Sequence, residues 1–126
     1  MNAVGRKEGP LELSELVKRA FGAGAEPRPF GTIEWTTGTE MAAAIAVFDA
    51  GGDNVEHTHP NCEEAVFVLE GEIEHTLGEQ STILHAGDFI VVPRDAPHRL
   101  INRGSKPCRM LIVFTSPDRE FVPTGR

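Results

Sequence analysis

The chain has no tyrosine, one tryptophan and two cysteines among its 126 residues. Without tyrosine, acid–base chemistry by a phenol is excluded. Two cysteines, Cys62 and Cys108, cannot build a disulfide framework. Positive charge is also scarce: 12 Lys and Arg stand against 19 Asp and Glu, a formal charge of −7. Neutralising phosphates takes clustered Lys and Arg, so the balance argues against nucleic acid or an anionic membrane as partner. The acidity is spread along the chain and reads as a solvated surface. No apolar run approaches the ~20 residues that span a bilayer, and the start, MNAVGRKEGPLEL, lacks the unbroken apolar segment of a signal peptide. A cytoplasmic location with reduced thiols is the expectation. The length supports one domain with a single core.

Helical periodicity occurs once. Leu13, Leu16, Val17, Ala20 and Phe21 fall on one helix face, with Glu12 and Glu15 toward its start, Lys18 and Arg19 toward its end, and Gly22 as a stop. The spacing predicts a short helix over 11–21. From Phe30 onward the pattern is that of strands: Ile33 and Trp35 alternate with Thr32, Glu34 and Thr36. Further strands are predicted near 40–49, 55–59, 64–70, 72–77, 81–85, 88–92, 98–102 and 108–115, separated by Gly, Pro and Asn turn signals. Many short strands without interleaved helices predict an all-β antiparallel sandwich or barrel. The organisation expected is an N-terminal arm and helix over 1–29, the β-barrel over 30–116 and a C-terminal tail over 117–126. Two strands, Ala65–Leu69 and Met110–Phe114, are apolar on both faces, whereas a barrel buries only one. The helix can cover part of the surplus and a second copy the rest, so a homodimer is predicted.

The stretch GGDNVEHTHPNCEEAVFVLEG carries the chemistry. His57 and His59 lie two apart, which on a strand aims both imidazoles at one face. A turn at Pro60 then brings a carboxylate, Glu63 or Glu64, back beside them. Imidazole with carboxylate suits Mn, Fe, Co, Ni, Cu or Zn. Alone, an HxH is weak, since two polar residues at a strand end are common. Cys62 lies within this stretch as a possible thiol ligand, but no second cysteine stands at ligand spacing and a bystander is favoured. Cys108 opens an apolar run and reads as a small buried residue.

A second stretch changes the weight of the first. The chain reads Gly51, five residues, His57-x-His59, four residues, Glu64, six residues, Gly71; later it reads Gly87, five residues, Pro93, then Asp95, His98 and, three residues on, Asn102. Together these resemble the two signature motifs of the cupin superfamily. The resemblance implies a jelly-roll barrel that binds one divalent transition metal per chain through His57, His59, Glu64 and His98. Glu64, not Glu63, stands six residues before Gly71, and adjacent strand residues face opposite ways. One departure is visible: Asp95 occupies a position where the family usually has glycine, at the turn delivering His98. Glycine there suggests a positive φ, which Asp tolerates better than most residues.

Four protein ligands leave two octahedral positions for water or a bidentate small molecule. His75 shares a strand face with Ile73 and Leu77, which places it inside; it is a candidate general base or hydrogen-bond partner of a ligand, or equally a core histidine. His85 and Arg99 are expected to face outward, and the alanines of 42–46 to leave space wherever they line the interior. The missing tyrosine removes the Cys–Tyr crosslink of some thiol dioxygenases and the tyrosine acid–base chemistry of sugar epimerases. Two function classes remain. One is a metal-dependent enzyme acting on a small oxygenated molecule, as a dioxygenase, isomerase, cyclase or decarboxylase. The other is a non-catalytic module that binds or senses a small ligand and holds a structural metal.

Overall fold

Residues 25–126 are described by a computed structural model of the chain; the helix expected over 11–21 lies outside them. In chain order the strands are β1 (Glu26–Arg28), β2 (Gly31–Thr37), β3 (Ala42–Phe48), β4 (His57–Thr58), β5 (Glu64–Glu70), β6 (Glu72–Leu77), β7 (Gln80–His85), β8 (Phe89–Val92), β9 (His98–Ile101), β10 (Cys108–Phe114) and β11 (Val122–Pro123). No helix occurs among the described residues.

Six strands form one sheet in the order β1-β2-β3-β10-β5-β8, and five form a second in the order β11-β4-β9-β6-β7. Each strand pairing is antiparallel. The expected closed barrel is therefore corrected to a two-sheet jelly-roll, with no ladder joining the sheets at either edge among the described residues. The strand lengths supply the reason. The edge strands β1 and β11 have only three and two residues, and each contains a proline that has no N–H to donate. Such short strands cannot carry a hydrogen-bonded ladder around an edge.

Alternation sets what enters the space between the sheets. Ala44 and Ala46 of β3 are fully buried, and their register partners on β10, Ile112 and Met110, are large. On the other flank of β10 the same two residues meet Val66 and Val68 of β5. Small residues on one strand thus accommodate large ones on the next, and Ile73 and Leu100 cover them from the facing sheet. The opposite face of β5 and β8 is apolar yet open: Phe67 and Phe89 stack with centroids 6.0 Å apart, and Phe89 is 71% exposed. Gly71 turns β5 into β6 with φ of 84°, and a Cβ there would lie 2.7 Å from the Pro107 carbonyl oxygen. No other residue type fits that turn.

Candidate metal centre

The two sheets contribute to one cluster near β4. His57 begins β4 and His98 begins β9, and the two are register partners. His59 follows β4, and Glu64 begins β5 in the facing sheet. Potential ligand atoms of His57, His59, Glu64 and His98 lie within 4.8 Å of one another, and all four residues are buried. Glu63, by contrast, is exposed.

Backbone carbonyls fix the orientation of each imidazole. Nδ1 of His57 lies 2.7 Å from the Val55 oxygen, that of His59 2.7 Å from the Glu120 oxygen, and that of His98 2.9 Å from the Ala96 oxygen. A carbonyl only accepts, so in each ring Nδ1 carries the hydrogen and Nε2 is left to face the cluster. Glu64 Oε1 sits 2.9 Å from His98 Nε2 and 3.0 Å from His59 Nε2. With Nδ1–H committed to a carbonyl, Nε2 of His59 and of His98 can meet the Glu64 oxygen only with a proton or a cation between them. The donor set therefore fits a borderline divalent metal ion, which these four residues could hold.

Electrostatics agree with that geometry. Burial pushes the Glu64 carboxyl up, but hydrogen bonds from His59 and His98 outweigh it and hold the group below the usual carboxylate range. Burial works to lower His98, yet its hydrogen bond to Glu64 leaves it above the ordinary imidazole value. His57 has no such partner, and burial pulls it down to about 4, so it is neutral and ready to ligate.

The local chain is shaped to deliver these groups. Asp53 Oδ1 accepts the Val55 N–H at 2.9 Å, supporting the left-handed residue whose carbonyl orients His57. Asp95 takes φ of 62°, and its N–H donates to the His59 carbonyl at 3.0 Å, which ties the turn before His98 to the His57–His59 segment. Arg99 points away from the cluster and pairs with Asp53. His85 is exposed between Glu72 and Asp88.

His75 is 1% exposed, and neither of its nitrogens has a hydrogen-bond partner among the described residues. Burial pulls it down to about 4, so it is a neutral ring, lying beside His98 with centroids 6.3 Å apart. Cys62 is buried in the core, and burial raises its thiol, which keeps the thiolate scarce. A cavity of about 50 Å³ opens onto His57, His59 and Glu64. Its other walls include Phe30, Phe48, Ile112 and Phe114; His75 is not among them.

Sequence reasoning did not single out the residues after β10. Phe121 stacks on His57 with centroids 4.2 Å apart, β11 pairs with β4, and Arg119 lines the cavity. Their only signal was an arginine and a phenylalanine beyond the last apolar strand, with no periodicity to mark them.

A two-sheet jelly-roll with three histidines and a glutamate buried at one end defines a class, and comparison with known proteins names it. Residues 44–114, more than half of the chain, match the cupin domain family, and the chain belongs to that family. It is 30% identical to Nectarin-1 of Nicotiana langsdorffii x Nicotiana sanderae over 116 residues, covering 79% of this chain and 51% of that protein. Protein SchB of Streptomyces halstedii is 31% identical over 105 residues, covering 80% and 76%. Among solved structures, a recombinant oxalate oxidase in complex with glycolate superimposes with a TM-score of 0.62 at 26% identity, covering 67% of this chain and 46% of that one. The chain thus spans about half the length of Nectarin-1. No described helix is long and apolar enough to cross a membrane.

Proposed function

We propose that the chain is a mononuclear metal-dependent enzyme acting on a small oxygenated molecule, with His57, His59, Glu64 and His98 as the ligands of one divalent transition metal. One observation carries the reading: three imidazoles, each with Nδ1 committed to a carbonyl, turn Nε2 toward a single buried carboxylate. When bound, a metal ion there supplies Lewis acidity, and iron adds dioxygen chemistry. The protein's own part is to orient the ligands and to shield the site behind Phe114 and Phe121, leaving space for a few non-hydrogen atoms. Small oxygenated acids come to the front because the oxalate oxidase it resembles holds glycolate.

A second reading, a non-catalytic small-ligand module, draws on the position of His75. That imidazole lies outside the cavity lining, so no histidine beyond the cluster is poised to move a substrate proton. In either reading the open apolar face of β5 and β8 serves as the contact between two copies of the chain.

Metal analysis of untagged protein purified anaerobically, beside a His98→Ala variant, tests the ligand set. About one metal ion per chain is expected in the parent and at least a tenfold lower occupancy in the variant, because each ligand bond contributes strongly to affinity. Equal metal content in the two proteins would refute the four-ligand centre. Incubating loaded protein with small hydroxy and oxo acids, followed by NMR, separates the enzyme from the binding module: product formation supports the first, and binding without turnover the second.

A further inference from the structure

Arg119 stands where two spaces meet. It lines the cavity of about 50 Å³ that opens onto the histidines and Glu64. It also lines an adjoining space of about 370 Å³, shared with Arg28, Pro29, Asn54 and Val55. Phe30, Asn54 and Phe121 border both. Three aromatic rings surround the guanidinium, whose carbon lies 5.0 Å from the Trp35 centroid, 5.1 Å from Phe114 and 5.5 Å from Phe121. Its Nε is buried and has no hydrogen-bond partner among the described residues.

The chemistry of that position is unusual. A guanidinium stays charged in proteins, and withdrawing it from water without an anion is costly. Ring faces offset part of that cost, but they leave the buried Nε–H unanswered. Burial is the largest influence on the group and works against its charge. The nearest carboxylate of the cluster, Glu64, is already engaged by His59 and His98. A divalent ion on the cluster would leave the cavity with more positive charge still.

We propose that Arg119 is the specificity-determining residue of the site, binding the carboxylate of a small organic acid at the junction of the two spaces. The guanidinium presents a planar fork that matches a carboxylate bidentately, which a lysine cannot do. The inner space then accommodates the oxygen-bearing end of the acid beside the histidines, and the larger outer space its remaining carbons. This assignment rests on the proposed function and narrows it to small carboxylic acids. It also gives Trp35, the one tryptophan in the chain, the place of a built-in reporter.

The test uses glycolate, oxalate, pyruvate and succinate, each against its neutral amide, titrated into metal-free and metal-loaded protein. Trp35 fluorescence and calorimetry give the affinities. At least one acid is expected to bind ten-fold or more tightly than its amide, a difference of about 1.4 kcal/mol, with a change in Trp35 emission. Arg119→Gln should weaken that acid at least ten-fold while metal content stays at the parental level, and Arg119→Lys should recover part of the loss. Absence of binding by all four acids, equal binding of acid and amide, or an Arg119→Gln affinity within two-fold of the parent overturns the proposal. The acid–amide comparison is made on the unaltered protein, so it holds even if a variant does not fold. Should the protein take up no metal, the proposed function fails, while the metal-free titrations still decide the role of Arg119.

Discussion

Val55 is the residue at which the site's geometry conflicts most openly with local preference. A β-branched side chain at φ of 58° is strained by roughly 1–2 kcal/mol, yet the turn is kept because the Val55 carbonyl orients His57. Asparagine tolerates this region far better. Val55→Asn is therefore expected to stabilise the protein by about 1 kcal/mol, a rise in Tm of roughly 4 °C, since the side chain is largely exposed. A thermal melt showing a lower Tm than the parent would contradict the strain argument. The same scale shows why the cluster was legible and its surroundings were not. His57, His59, Glu64 and His98 announce themselves by residue type and spacing, and the structure brings them together. The positive φ of Val55 and the aromatic cage around Arg119 depend on partners distant in sequence, and a valine or an arginine carries no mark of such a place.

Among the elements, β11 is the one that changes how the site is understood. Two residues pairing with His57 and Thr58 make a weak ladder by themselves. Asn61 supplies what the ladder lacks: its Nδ2 donates to the Asp118 carbonyl at 2.9 Å and its Oδ1 accepts the Glu120 N–H at 2.9 Å. Glu120 in turn accepts from His59. Asn61→Ala should cost about 1–2 kcal/mol of stability and lower metal affinity about 10-fold, because partners of a ligand's second nitrogen tune its hold on a metal. Metal competition titrations on the two proteins read this out, and equal affinities would show that β11 only decorates the site. The long strands were legible, β2 from alternation and β3, β5 and β10 from apolar runs between turn signals. β1 and β11 were not, since each contains a proline and neither is long enough to show a period.

For the whole molecule, the apolar outer face of β5 and β8 sets the expectation of pairing. Burying Phe67, Phe89 and Val91 against a second copy is worth roughly 1.5–3 kcal/mol for each side chain fully covered. Light scattering at micromolar concentration should give the mass of two chains, and Phe89→Arg should shift it to one. A monomer mass for the parent protein would remove the pairing. Sequence reasoning recognised the surplus of apolar faces but not how the sheets are arranged, because strand alternation is the same in a closed barrel and in a two-sheet sandwich. The edges are decided by strand length, and the edge strands β1 and β11 are short and each carry a proline.

The link between His59 and Glu120 also has a consequence in time. The two residues are 61 apart in sequence, and a ribosome adding about 5–20 residues per second needs roughly 3–12 s to cover that distance. Throughout this interval His57 and His59 exist without the Glu120 carbonyl that orients His59 and the Phe121 ring that covers His57. β10 (Cys108–Phe114), the strand that joins β3 to β5, is itself made only shortly before Glu120. The six-stranded sheet and the tautomer of His59 are thus settled within a few residues of one another, long after His57 and His59 have been made.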